Sequence, residues 1–476
     1  MQLLIIGGSD AGISAALRAH ELEPGAEVTL VLADDYPNFS ICGLPYYLSG
    51  ETPDWRQLAH RTEFPGIRIL RGHTARSIDA RGKAVLVEHA GTEQTIRYDR
   101  LIVATGAAPM RPELPGSELD GVFLLHTMND SFAVHKHLTE REPRTAVLIG
   151  AGYIGLEMAD ALTQRGLEVT LLSRTETVLP TVDPALGVLV EDELRRHGVR
   201  VLTGLSATRI EQQSGDSTSP RLLVTDSAGT QHPADMVILA VGVRPASDLA
   251  RRAGAELGVR GAIAVTHRMQ TSLPDVLAAG DCVETYHRLL DQPVYISLGT
   301  IAHKQGRIAG ENALGGDREF AGALGTQSLK VFDLAIARTG LMDHEARNGG
   351  FDPLTVPMEA NDHKAYYPGA VTLHIRMTGD RQTGRLLGAQ ILGHRKAEIS
   401  KRIDIVAAAL FQNASVEQLN DMDLSYTPPF SSPWDPVQVA AQAWSASQTA
   451  SGNRGPYQGT GEPLSSTKRA SSRPGS

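Results

Sequence analysis

Thr145-Ala146-Val147-Leu148-Ile149-Gly150-Ala151-Gly152-Tyr153-Ile154-Gly155 is the stretch that decides the fold. An apolar run of strand character enters a glycine turn. A helical pattern follows through Gln164, and a second strand runs from Glu168 to Leu172. Each glycine of such a turn has a task. Gly150 makes the tight turn, Gly152 lets backbone approach a pyrophosphate, and Gly155 lets helix and strand pack closely. The positive end of the helix then faces the negative ligand. The segment therefore predicts a dinucleotide site lined by Gly150, Gly152, Tyr153, Ile154 and Gly155.

The N-terminus repeats the design. Residues 2 to 6 read as a buried strand, Ile13 to Leu22 as a helix, and Glu27 to Leu32 as the next strand. The turn between is Gly7-Gly8-Ser9-Asp10-Ala11-Gly12, with Gly7 and Gly12 in the outer places and Ser9 where the middle glycine would stand. Asp10 is unexpected, because a carboxylate at the mouth of a phosphate site repels the ligand unless it points away. Two strand–turn–helix–strand units predict two dinucleotide sites on parallel sheets.

The tip of each second strand normally contacts a ribose. At the first site that place is Leu32, which cannot hydrogen-bond, so Asp34, Asp35 or water must serve. At the second it is Ser173-Arg174. A missing acid beside an arginine suits a 2′-phosphate, hence NADPH over NADH, the plain alternative being a solvated arginine.

The 476 residues predict two to four domains. A formal net charge of −9 argues against nucleic acid or an anionic membrane as a main partner. Cys42 and Cys282 are the only cysteines, too few for a disulfide framework or a four-cysteine zinc site, and no metal is expected. The apolar run after Met1 is too short for a signal peptide, and no run reaches membrane-spanning length. A reducing cytoplasm is the expected compartment. From Thr326 to about residue 440 the pattern changes to an α+β domain. Ser328 to Ala337, Val371 to Met377 and Leu386 to Leu392 read as antiparallel strands, and Lys396 to Phe411 as a helix. From about Ser445 onward the Ser, Gly, Thr and Pro content predicts a disordered tail.

Cys42 precedes a helical segment, Leu44 to Leu48, and a thiol at a helix N-terminus is favoured as thiolate. With no second cysteine nearby, it must pair with an external thiol or cycle through sulfenic acid.

Four further motifs stand in order: Phe39-Ser40-Ile41-Cys42-Gly43-Leu44-Pro45-Tyr46-Tyr47, Ala104-Thr105-Gly106, Ala279-Gly280-Asp281 and Pro428-Pro429-Phe430-Ser431-Ser432. In these the chain resembles the pyridine nucleotide-disulfide oxidoreductases, and most of all their single-cysteine branch. That branch holds coenzyme A-disulfide reductases, NADH oxidases, NADH peroxidases and polysulfide reductases. The likeness implies an α/β fold with two Rossmann-like dinucleotide-binding domains, for FAD and for NAD(P)H, plus a C-terminal α+β dimerisation domain. It implies FAD binding by 1–110 and 245–322, NAD(P)H binding by 111–244, dimerisation through 323–444, and a tail at 445–476.

It also implies roles. Asp281 bonds the ribityl chain, with Ala104, Thr105, Gly106, Gly242 and Gly280 beside the cofactors. Tyr153 covers the flavin until nicotinamide displaces it, and Glu157 lies near the nicotinamide. Thr300 and Ala302 begin a helix aimed at the flavin's pyrimidine edge. Tyr366, Tyr367 and Tyr426 resemble tyrosines that a partner subunit lends to protonate a departing thiolate. Cys282 is expected to be a packed thiol.

The implied activity is NAD(P)H-dependent reduction of a small-molecule disulfide, persulfide or polysulfide at Cys42, with coenzyme A disulfide as first candidate. The alternatives are a water-forming oxidase or peroxidase cycling through a Cys42 sulfenic acid, a redox-responsive flavin-binding protein, and an electron-transfer reductase that needs no cysteine. Two departures matter. Asp10 stands where oxidases and peroxidases carry histidine, and Ile41 stands where this branch has a small polar residue. Arg18, His20, Arg61, Arg68, Arg71 and His73 form a candidate basic patch for adenosine phosphates.

Overall fold

The strand Gln2–Ile6 lies at the centre of a five-stranded parallel sheet. Glu27–Val31 and then Ile67–Leu70 flank it on one side, Arg100–Val103 and then Val276–Ala278 on the other. Leu3, Leu4 and Ile5 are buried together, as expected for a strand covered on both faces. The computed structural model describes residues 1–213 and 222–452. In it the outermost strand, Val276–Ala278, comes from beyond the second glycine unit. The first domain is thus discontinuous, as the order of motifs implies.

The second sheet repeats this plan around Thr145–Ile149. Glu168–Leu172 and Arg200–Leu202 lie on one side, Met236–Leu239 and Val122–Phe123 on the other, all parallel. Glycines set the packing that positions the site. The helix Asp10–Leu22 lies against the helix Gly299–Ala313. A Cβ at Gly306 would come 2.2 Å from the Ala11 carbonyl oxygen, and one at Gly310 would come 2.3 Å from that of Ala15. Only glycine permits that approach, which carries the start of the second helix to the mouth of the first glycine turn.

The C-terminal sheet is antiparallel, in the order Gln327–Val331, Leu334–Gly340, Leu386–His394, Thr372–Asp380, Pro353–Asn361. Two expectations are corrected here. Ser328 to Ala337 is not one strand but a hairpin turning at Phe332-Asp333, with Phe332 at φ +51°. The edge strand Pro353–Asn361 escaped the pattern because it is half-exposed along most of its length and carries Pro353 and Pro357, which edge strands tolerate.

A third correction concerns the tail. The helix Pro436–Gly452 runs through its expected beginning. Trp444, 1% exposed, anchors it, donating its indole N–H to the Leu354 carbonyl at 2.7 Å. Small residues fill the rest of that helix, so its composition mimics a linker. The remainder of the expected tail, 453–476, lies outside the described residues.

The hairpin tip also joins domains. Phe332 N–H donates to Asp160 Oδ2 at 2.9 Å, Asp333 N–H to Glu193 Oε1 at 3.0 Å, and the Phe332 ring stacks on His197 at 4.1 Å.

Candidate active site

One cavity of about 2770 Å³ runs between both parallel sheets and under the C-terminal domain. A site for one small ligand occupies about 300–1,000 Å³, so this cavity has room for two dinucleotides. Both glycine turns open into it, with Ala104, Thr105, Gly106, Gly242, Gly280, Asp281, Thr300 and Ala302.

The turns fit phosphate. Cβ atoms at Gly7, Gly12, Gly150 and Gly155 would strike backbone carbonyls at 2.0, 1.9, 2.3 and 1.9 Å. These four therefore hold the turns tight. Gly152 differs: a Cβ there meets nothing within 4 Å. Its backbone borders open space at the N-terminus of the helix Tyr153–Gln164, a cradle shaped for a pyrophosphate. Gly280 takes φ +87°, and its N–H donates to Gln305 Oε1 at 3.0 Å. Gln305, fully buried, passes a second bond to Thr285. Nothing in its sequence surroundings marks Gln305 as the residue that holds this turn.

At the first ribose position Leu32 is buried, and Asp34 rather than Asp35 borders the cavity. One Asp34 oxygen accepts the Tyr36 N–H at 2.9 Å, leaving the other for a ligand. At the second, Ser173 is 2% exposed, its hydroxyl pairs with that of Thr175 at 2.9 Å, and the Thr175 hydroxyl donates to the Thr177 carbonyl at 2.7 Å, while Arg174 borders the cavity. The Thr105 hydroxyl donates to the Ala246 carbonyl at 2.7 Å and pins two crossing segments. The Ala302 N–H is bonded to the carbonyl of Leu298, the N-cap of its helix, at 3.0 Å.

Cys42 lies in a short 3₁₀ turn, Ile41–Gly43, ahead of a six-residue helix, Leu44–Ser49. Its sulfur opens into the cavity. The expectation that this helix favours the thiolate is corrected. Burial pushes the thiol above its ordinary value, and the negative charges of Glu157, Asp10 and Asp281 push it further. One short turn of helix dipole does not offset three carboxylates. Cys282 is buried, with its sulfur against the carbonyls of Val103 and Ala279, a packed thiol.

Asp10 borders the cavity and faces His303. Its carboxylate lies 3.4 Å from His303 Nε2, and His303 Nδ1 is 2.7 Å from Ser14 Oγ. Burial raises the Asp10 carboxyl, while His303 and His60 draw it back down. Glu157, Asp281 and Tyr153 all border the cavity. Burial raises them to about 7, about 6 and about 12. Tyr46, within the cysteine motif, borders the same small pocket as Glu157, and its hydroxyl favours the Glu157 carboxylate. Of the candidate basic patch, Arg18 is bonded to Glu311 at 2.7 Å and to Glu21 at 3.1 Å, while His73 borders the cavity.

Tyr366, Tyr367 and Tyr426 do not reach Cys42 within one chain. They stand outside the cavity on the C-terminal domain, where Tyr366 hydrogen-bonds Tyr426 and is 74% exposed.

Two dinucleotide cradles meeting in one cavity with a thiol on its wall define a nucleotide-dependent redox enzyme. The chain belongs to the pyridine nucleotide-disulphide oxidoreductase family, whose model matches residues 1–306 and whose dimerisation-domain model matches 326–436. It is an oxidoreductase that uses FAD and NAD(P)H. It is 36% identical over 449 residues to an NAD(P)H sulfur oxidoreductase (CoA-dependent) of Pyrococcus furiosus, covering 93% of this chain and 98% of that one. It superposes on the NAD-dependent persulfide reductase from A. fulgidus with a TM-score of 0.90 and 35% identity, over 95% of this chain and 84% of that one. A third likeness is an engineered NADPH-bound form of the water-forming oxidase from Lactobacillus brevis, with a TM-score of 0.89, 27% identity, and coverage of 95% and 100%.

Proposed function

We propose that this chain uses NADPH to reduce a small sulfur–sulfur bond at Cys42, with coenzyme A disulfide first among the acceptors and persulfide or polysulfide next. One observation carries the reading: a single thiol opens into the shared cavity while the other is sealed in the core. The names of the Pyrococcus and A. fulgidus relatives support it. Cys42 first loses its proton to solvent against the field of its neighbours, and the resulting thiolate attacks the acceptor, forming a mixed disulfide and releasing one thiolate, which takes a proton. Bound FAD supplies the passage of an electron pair from the nicotinamide to that disulfide. Cleavage returns the Cys42 thiolate and releases the second thiol. In this reading Asp281 and Asp34 would hold the flavin's ribityl and ribose hydroxyls, and Gly152 would admit the nicotinamide pyrophosphate.

The oxidase reading has the third structural likeness in its favour. Asp10 weighs against it, standing where oxidases and peroxidases carry histidine, whereas Ile41, an apolar neighbour that offers no hydrogen bond to a thiol or a sulfenate, counts against coenzyme A as well. Stopped-flow turnover with coenzyme A disulfide or polysulfide decides between them. Thiol release that outpaces oxygen uptake supports the reductase. Rapid oxygen uptake with idle disulfide overturns it.

NADPH preference rests on Ser173-Arg174-Thr175. The engineered oxidase had aspartate, alanine and methionine at successive positions changed to alanine, arginine and serine, the same small–arginine–hydroxyl order. A charged hydrogen bond contributes about 1.5–3 kcal/mol. Arg174→Ala is expected to lower kcat/KM for NADPH roughly 10- to 100-fold and leave that for NADH nearly unchanged, as steady-state kinetics would show.

The active unit is proposed to be a homodimer. Tyr366, Phe430 and Trp434 are 74%, 69% and 51% exposed on the domain that matches the family's dimerisation model. Such an aromatic patch fits a second copy. The tyrosines then reach the partner's cavity. Phe430→Asp is expected to halve the mass measured by light scattering and to lower disulfide turnover with flavin content intact. No helix among the described residues is long and apolar enough to cross a membrane. A cytoplasmic setting is proposed because an open redox thiol requires reducing surroundings.

A further inference from the structure

Behind the cysteine motif, three domains meet at one ammonium group. Lys330, on the first strand of the C-terminal hairpin, lies 2.7 Å from Glu51 of the first domain and 3.3 Å from Asp160 of the second. It also sits over the Tyr46 ring, 5.4 Å from the centroid. Gln164 locks the two carboxylates, donating to Glu51 at 3.1 Å and to Asp160 at 2.6 Å. Asp160 is fixed again by the Phe332 N–H. These groups enclose a second cavity of about 10 Å³ lined by Pro45, Tyr46, Ser49, Glu157 and Lys330, space for a single water. Glu157 therefore forms the wall between this pocket and the nucleotide cavity.

The groups facing Glu157 are few. Tyr46 faces it across the small pocket from the short helix after Cys42, and Cys42 faces it from the turn before. Asp160 and Tyr153 act along its own helix. Lys330 is the one cation among the groups that shift its ionisation. Burial and Asp160 favour the neutral acid, while Lys330 and the Tyr46 hydroxyl favour the carboxylate. The opposing influences leave Glu157 at about 7, a poise at which a group exchanges protons readily.

We infer that Lys330, carried in by the C-terminal domain, sets the charge that Glu157 holds at the nicotinamide end of the cavity and is a positioning residue for proton exchange there. The third domain thereby takes part in the chemistry of the other two. The inference rests on the reading that NADPH delivers its electrons beside Glu157, and the test separates the two. Pulling the ammonium away from a partly buried carboxyl raises its ionisation midpoint by on the order of one pH unit.

The experiment follows the rate of anaerobic reduction of the FAD-loaded protein by NADPH between pH 5.5 and 9. The wild type is expected to show a limb near neutrality. Lys330→Met should move that limb up by on the order of one pH unit, and Lys330→Arg should hold it in place. Glu51→Gln, at a half-exposed carboxylate, removes a competing negative charge and should move the limb down, which keeps the inference testable if the methionine variant fails to fold. Glu157→Gln should erase the limb. If Glu157→Gln erases it while Lys330→Met and Glu51→Gln leave it unmoved, the role of Lys330 is wrong and that of Glu157 stands. If Glu157→Gln keeps the limb, the reading of Glu157 fails and the inference goes with it.

Discussion

Replacing Cys42 by serine is expected to cut reduction of coenzyme A disulfide or polysulfide by on the order of 10⁴-fold or more, the scale of losing a catalytic nucleophile. A serine hydroxyl does not ionise near neutrality and forms no bond to sulfur that an electron pair can later cleave. The residue is small and opens into the cavity, so the exchange leaves the packing undisturbed. Flavin content and reduction of an artificial dye by NADPH should persist, because the glycine turns and Asp281 are untouched. Retention of disulfide turnover would favour an electron-transfer reductase that needs no thiol.

Gly152→Val carries the second large effect. Gly152 has ordinary extended backbone, φ −84° and ψ −168°, and a Cβ there meets nothing within 4 Å. The valine Cβ therefore has room in the protein and stands in space that a pyrophosphate would take. Losing one or two charge-assisted backbone bonds, each about 1.5–3 kcal/mol, lowers kcat/KM for NADPH roughly a hundredfold or more. Dithionite should still reduce the bound flavin, and the thermal midpoint should hold. Gly155→Ala would not discriminate in this way, because its Cβ would come 1.9 Å from the Gly150 carbonyl oxygen and break the turn itself.

What the sequence made legible was local and periodic. The two glycine turns follow from strand, turn and helix spacing, and the strand pairs 2–6 with 27–31 and 145–149 with 168–172 lie where the apolar runs end. Contacts between distant segments were not legible. Lys330 meets Glu51 across 279 positions, and nothing near a lysine on a hairpin tells which carboxylates it will face. The same holds for His303, which lies 3.4 Å from Asp10 and gives that carboxylate a partner at the cavity wall.

The Cys42 environment shows a different failure. The helix after it is visible in Leu44 to Leu48, but the carboxylates of Asp10, Glu157 and Asp281 converge only on folding, and their field opposes the helix. Arg18 read as a phosphate ligand, yet the packing of two helices through Gly306 and Gly310 hands it to Glu311. The helix Pro436–Gly452 was missed because one tryptophan anchors a segment whose other residues are small or polar.

The central claim is that Cys42 alone takes up half of the acceptor and that NADPH then removes it. Peptide mass spectrometry tests this on the flavin-loaded protein after one equivalent of coenzyme A disulfide without oxygen. One coenzyme A group is expected on the peptide containing Cys42, none on that containing Cys282, and the adduct should be lost when NADPH is added. An unmodified Cys42, or an adduct that NADPH leaves in place, would contradict it.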